Sequence, residues 1–270
     1  MICPHISIIT ITYNSASTLE ETILSVVNQE YKNLEYVIID GGSTDNTLGI
    51  IQKYKEHIAI VVSEPDRGIS DAFNKGIRKA SGEIVGIINS DDILLPGALT
   101  KIAEAYQPQT DVYSGLMYCF DDKTHDKILF YPDLKFDKLK LQYSVAHSSR
   151  FIRKDAYLRF GVYQEDFRYM MDIDLLCRFY HQGATFQLVD APLAQFRLGG
   201  VTNDPIYKKK EDYRLFVSNY GGSVWDFRWI WFQAVVKYNM IHLGYRLFGE
   251  NLRFKIQKHP LLKKIVSYFP

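Results

Sequence analysis

Several features that mark common protein classes are scarce or missing in this sequence. Only three cysteines occur, Cys3, Cys119 and Cys177. They show no CxxC or Cys/His ligand spacing, so they read as buried thiols in a reducing compartment, with no disulfide framework. No basic leader followed by a long apolar run opens the chain, and no cleaved signal peptide is expected. No run reaches the roughly 18 uncharged apolar residues of a spanning helix. These absences point to a cytosolic protein, or one seated on the cytosolic face of a membrane. Neither GxGxxG nor GxxxxGK[ST] is present, which leaves dinucleotide and P-loop readings without support. Charge of one sign is lacking too: 32 Lys and Arg face 31 Asp and Glu. That balance does not suggest a nucleic-acid binder, which would carry a basic face across its main domain. There is no internal repeat and no low-complexity linker.

What is present is the pattern of an α/β domain. Hydrophobic residues make up 47% of the 270 and charged residues 23%, ordinary for a folded chain. His5–Thr12 is a β-branched run that predicts a strand. Leu19, Ile23, Val26 and Val27 follow at helical spacing, with Ser17 and Glu20 as a capping box. Tyr36–Asp40, Ile58–Val62 and Ile84–Ile88 predict three more strands, alternating with helices around Leu48–Tyr54 and Ile69–Ile77. Pro96 fits the first turn of the next helix. This alternation predicts a parallel sheet with helices on both faces. From about Asp111 the rhythm changes to antiparallel strands (111–119, 127–131), another short strand (148–154), a helix at Met171–Gln182, and strands near 186–189 and 193–198. Beyond Pro205 the chain reads as helices.

Parallel sheets bind ligands beyond the carboxyl ends of their strands. Four polar clusters fall there: Tyr13-Asn14, Asp40, the segment Glu64–Asp71, and Asp91-Asp92. Adjacent carboxylates repel unless a cation or donors neutralise them. Asp91-Asp92 is therefore either a divalent-metal site or a solvated turn and helix cap. Asp40 could accept from a ribose or base, or cap the following helix. Arg67 could meet a pyrophosphate and Asp71 a hydroxyl, or the two could form a surface ion pair.

In order and spacing, Ile11-Thr12-Tyr13-Asn14, IIDGGSTDNT, SEPDRGISDAFNKG and NSDD closely resemble glycosyltransferase family 2, particularly bacterial enzymes of surface-polysaccharide assembly. The likeness is strong over about the first 110 residues and weaker to about 200. It implies the GT-A fold: a Rossmann-like nucleotide-binding mixed sheet flanked by helices, here with a C-terminal helical extension. Residues 1–204 would form the catalytic domain, with 1–110 the nucleotide-sugar half and 111–204 the acceptor half; 205–270 would be the extension. The resemblance implies a nucleoside diphosphate-sugar donor, a glycan or lipid-linked acceptor, and Mn2+ or Mg2+. Asp40 would contact the base, with Thr12, Tyr13 and Asn14 lining that pocket. Arg67 and Asp71 would approach the nucleotide-sugar. Asn89 replaces the first acid of the metal motif, so Asp92 would ligate the metal with Asp91 beside it on ribose or sugar. Asp172, behind Met171 where the family often has Glu, would be the catalytic base; its other reading is a helix N-cap. His147 would face the acceptor, and Gly199–Thr202 would close over the diphosphate.

Trp225–Phe248 is aromatic yet interrupted by charge, and a basic run ends at Lys264. The segment 225–264 could lie on an anionic membrane surface, or pack on the catalytic domain or a partner subunit in a homo-oligomer. Two rival functions remain. A nucleotidyltransferase would need a glycine-rich basic loop after the first strand, which Tyr13–Ser17 lacks. A catalytically inactive, membrane-associated sugar-nucleotide-binding or scaffold subunit is kept open by Asn89 and Met171.

Overall fold

The computed structural model describes residues 3–198 except 123, 133 and 135–146, together with Glu211, Arg214, Trp225, Arg228 and Phe232. The chain divides into two compact units, Met1–Phe136 with Ser144–Glu211, and Asp137–Tyr143 with Asp212–Pro270. In the first unit, β1 (Ile6–Thr12) pairs in parallel with β2 (Leu34–Asp40) and with β4 (Ile84–Ile87), and β2 pairs in parallel with β3 (Ile60–Ser63). These are the four strands read from the apolar runs. Helices α1 (Leu19–Val27), α2 (Thr47–Lys53) and α3 (Ile69–Lys79) connect them.

The remaining strands are β5 (Ile93–Leu94), β6 (Val112–Phe120), β7 (Lys127–Phe130), β8 (Arg150–Arg153) and β9 (Phe186–Arg197). They extend one mixed sheet in the order β3-β2-β1-β4-β8-β6-β9-β5, with β7 on β6. β8 is antiparallel to both β4 and β6. The two strands expected near 186–189 and 193–198 are one strand, parallel to β6 across a bulge at Gly115–Met117. A Cβ on Gly115 would meet Leu193 Cδ1 at 2.3 Å, so the missing side chain lets β9 run past. Three further helices are α4 (Ala98–Ala105), α5 (Lys154–Phe160) and α6 (Met171–His181).

Ile6, Ile8, Ile38 and Ile84 alternate inward and pack on Leu19, Ile23 and Val26 of α1. Each such fully buried side chain contributes roughly 1.5–3 kcal/mol. Three local expectations fail. Thr18, not Ser17, is the N-cap of α1, with no side-chain cap bond; Glu20 instead accepts from the Tyr54 hydroxyl at 2.9 Å. Pro96 precedes α4, whose N-cap is Gly97 in the left-handed region at φ 74°. Asp172 lies inside the first turn of α6, and Met170 is its N-cap.

In the second unit, the Arg228 guanidinium lies 5.2 Å from the Trp225 ring centre, the i, i+3 reach of a helix. The loop 199–202 and most of the extension 205–270 lie outside the described residues. Among the described residues no helix is long and apolar enough to cross a membrane.

Candidate active site

A cleft of about 1090 Å³ opens at the carboxyl ends of β1, β2 and β4. Of the residues singled out from sequence, Thr12, Tyr13, Asn14, Asp91, His147 and Asp172 line it, and Asp40, Arg67, Asp71 and Asp92 do not. The second group has another place in the structure.

Asp40 is fully buried beneath the cleft floor. Its carboxylate accepts the N–H of Gly42 at 3.2 Å and of Ser43 at 3.1 Å, the Ser63 hydroxyl at 2.6 Å, and the Ser43 hydroxyl at short range. Ser43 Oγ in turn accepts the Asn14 N–H at 2.8 Å, while Asn14 Oδ1 accepts the Thr44 N–H at 2.8 Å. Asn14 reaches this position at φ 50°, a left-handed conformation that asparagine tolerates. Asp40 thus ties the ends of β1, β2 and β3 together, and its oxygens face those donors instead of a base. Thr12 Oγ1 is a buried hydroxyl with no partner among the described residues.

The loop 64–68 is held by carboxylates and cations. Asp71 is buried and accepts the Arg67 N–H at 3.0 Å and its guanidinium at 3.2 Å. Burial pushes the Asp71 carboxyl up, but Arg67 and Lys75 outweigh it and hold the group below its usual value. Arg67 also reaches Glu165 at 2.9 Å. Both residues therefore act on the loop's shape and do not border the cleft. Lys75 bonds Asp66 Oδ1 at 2.7 Å and Glu64 at 3.1 Å, and Asp66 does line the cleft.

The acidic pair divides in the way opposite to the sequence expectation. Asp92 is fully buried: Oδ1 accepts the Arg197 N–H at 3.1 Å, and Oδ2 takes the Ser148 hydroxyl at short range. Burial, then the Asp91 charge, push its carboxyl up to about 7. Asp91 is the member facing the cleft, its carboxyl also raised by burial against the pull of its own backbone N–H and of Arg197. Among the described residues no three His, Cys, Asp or Glu side chains gather as a cation cage. A single facing carboxylate fits a hard divalent ion whose remaining ligands are a diphosphate and water.

Arg197, at the end of β9, was not singled out from sequence. It borders the cleft, donates to the Asp91 carbonyl at 3.2 Å, and pairs with Asp122 at 2.5 Å and Glu21 at 2.7 Å. Its only sequence signal was a cation closing a strand ahead of Gly199-Gly200.

Asp172 enters the cleft from the first turn of α6. Asp174, two residues on, is buried and pairs with Arg178 at 2.8 Å, so of the two it is Asp172 that borders the cleft. Glu211 was also missed. Its carboxylate accepts the N–H groups of Arg168, Tyr169 and Met170 at 2.6, 2.7 and 3.0 Å, a negative group at the positive end of α6. His147 stacks on Phe73 with ring centres 5.1 Å apart. The residue borders the cleft, and its Nε2 is buried without a partner among the described residues. Burial and the neighbouring Arg150 charge hold the imidazole down at about 4.

The model of "Glycosyl transferase family 2" matches residues 7–167, more than half of the chain. The chain belongs to glycosyl transferase family 2. Its relatives include an uncharacterized glycosyltransferase of Rickettsia typhi, 28% identical over 68% of this chain and 61% of that one. The putative teichuronic acid biosynthesis glycosyltransferase TuaG of Bacillus subtilis is 32% identical over 48% of this chain and 54% of its own length. Among solved structures, S. aureus TarS 1-349 in complex with UDP-GlcNAc superposes with a TM-score of 0.62 at 19% identity, covering 78% of this chain and 64% of that one. Mannosyltransferase PcManGT from Pyrobaculum calidifontis, in complex with GDP-Man and Mn2+, gives 0.59 at 19% identity, with 78% and 64% covered. These likenesses establish the GT-A fold of this family 2 chain. The chain spans about three-fifths of the Rickettsia relative's length.

Proposed function

We propose that this family 2 glycosyltransferase moves a sugar, with inversion, from a UDP-sugar to a hydroxyl of a glycan or lipid-linked acceptor in surface-polysaccharide assembly. The observation that carries the reading is one cleft at the strand ends bordered by both Asp91 and Asp172. Two carboxylates from distant parts of the chain can then serve donor and acceptor separately. Asp172 would take the proton of the acceptor hydroxyl as its oxygen attacks the anomeric carbon and the bond to the diphosphate oxygen breaks. The nucleoside diphosphate leaves with the electron pair. A divalent cation at Asp91, Mn2+ or Mg2+, would supply positive charge for that diphosphate. Arg197 keeps Asp91 in place through its carbonyl. The UDP-GlcNAc complex of TarS, the Mn2+ complex of PcManGT and the teichuronic acid name of TuaG support donor, metal and acceptor class respectively. A lipid-linked acceptor would bring the enzyme to the membrane surface, with 225–264 as the contact.

The test is metal-dependent UDP release with UDP-sugars and acceptor extracts. Asp172→Asn should lower kcat by about 10²–10⁴-fold, the usual worth of a general base. Asp91→Asn should raise the Mn2+ concentration needed for half-maximal rate. Normal turnover in both variants would reject the site, and no nucleotide binding at all would favour the inactive scaffold.

A further inference from the structure

Asp40 cannot read the donor base from beneath the floor, yet the cleft holds a carboxylate that can. Gly41, directly after Asp40, has no side chain, and the space its Cβ would take is already occupied. Asp66 Oδ2 lies 2.8 Å from that point and Tyr13 Cδ2 lies 3.4 Å from it. The 64–68 loop is docked there by backbone and side chain: the Glu64 N–H donates to the Asp40 carbonyl at 3.0 Å, and the Ser63 hydroxyl to the Asp40 carboxylate. Lys75 takes Asp66 Oδ1 at 2.7 Å, which fixes the carboxylate's orientation. Oδ2 is left over Gly41 and receives no hydrogen bond among the described residues. Tyr13 beside it is 63% exposed, an aromatic face large for open solvent. A flat ring and a single acceptor oxygen, side by side in a cleft, suit a planar heterocycle that offers one N–H.

We infer that Asp66 is the base-reading residue of the donor site, accepting the imide N3–H of a pyrimidine nucleoside diphosphate that stacks on Tyr13. This rests on the donor reading above and narrows it. Uracil and thymine present one N–H between two carbonyls, which matches the one oxygen left by Lys75. Guanine presents two adjacent donors and is best met by both oxygens of a carboxylate, one of which Lys75 already holds. Cytosine presents a bare N3 lone pair that a carboxylate repels.

The experiment is calorimetric titration of the full chain, with Mn2+, by UDP, dTDP, GDP, CDP and N3-methyl-UDP, in wild type, Asp66→Ala and Asp66→Asn. The wild type should bind UDP at least about 10-fold tighter than N3-methyl-UDP, the worth of one hydrogen bond to a charged acceptor. The dTDP arm separates thymine from uracil as the base. In Asp66→Ala the methyl group should cost nothing. In Asp66→Asn the amide oxygen keeps Lys75 and its N–H2 takes the place over Gly41. Relative affinity should therefore swing from UDP towards CDP, a gain that misfolding cannot imitate. If UDP binds but methylation costs the same in wild type and Asp66→Ala, the assignment of Asp66 falls while the donor reading stands. If no nucleoside diphosphate binds the wild type, the donor reading falls and takes the assignment with it.

Discussion

Replacing Asp40 separates two roles that its position in the sequence does not. As a base contact, Asp40→Ala would leave the free protein intact and weaken only nucleotide binding. As the node seen in the structure, the carboxylate holds the hydroxyls of Ser43 and Ser63 and the N–H groups of Gly42 and Ser43. Alanine leaves all of these half-buried donors without the buried carboxylate they converge on. A buried donor left without its partner costs about 1–3 kcal/mol. The hydroxyls can rotate and the loop can relax, so the sum is taken as about 3–5 kcal/mol. For a domain of this size 1 kcal/mol moves Tm by about 2–4 °C, so Tm should fall by about 6–20 °C. Asp40→Asn, which turns an N–H2 towards the same donors, should fall in the same range. Differential scanning calorimetry of the ligand-free chain, with urea unfolding beside it, measures this. A Tm within 2 °C or so of wild type, with UDP binding lost, would refute the reasoning and return Asp40 to the base.

Further predictions concern the edge of the cleft. His147 is half-buried and held neutral, its imidazole lowered to about 4 by burial and the Arg150 charge. The unfolded chain binds the proton first, so this contribution is whole above pH 6.5 and is lost as pH falls towards 4. The loss reaches about 3 kcal/mol; His147→Phe should flatten the stability curve in that window, and an unchanged slope would count against it. Glu211→Ala removes the acceptor of three backbone N–H groups ahead of Asp172. Amide exchange at Arg168, Tyr169 and Met170 should quicken by about 10-fold or more, since each bond to a charged group is worth roughly 1.5–3 kcal/mol; unchanged protection would show that the helix end holds itself. Asp92→Asn should cost less rate than Asp91→Asn in the same assay, because Asp92 lies outside the cleft; the reverse order would restore Asp92 as the metal ligand.

The parallel half of the sheet was legible because its strands are short apolar runs, each ended by polar residues, and strands as buried as β1, β2 and β4 must be written that way. The bulge that joins 186–189 to 193–198 was not legible. It depends on Gly115 making room for Leu193, two residues far apart in the chain. The capping box failed for a similar reason: Glu20 had a better partner in Tyr54, just past the end of α2. Arg197 and Glu211 carried no local pattern, since their partners lie at Asp91, Asp122, Glu21 and the start of α6.

By itself the sequence determined the alternation of strand and helix, the polar strand ends that had to share one crevice, and a motif order that named the family. Those are properties of neighbouring residues and of spacing along the chain. Which carboxylate faces the cleft was decided only by the tertiary structure. Asp91 and Asp92 are adjacent and chemically identical, and the turn after β4, closed by the Asp92 N–H on the Asn89 carbonyl at 3.1 Å, sends them to different surroundings. One meets the opening, and the other meets Ser148 and the Arg197 N–H brought in from β9's end. Asp40 and Asp66 divide in the same way. Burial and the donors around an oxygen settle what it can bind, and those donors arrive from across the fold.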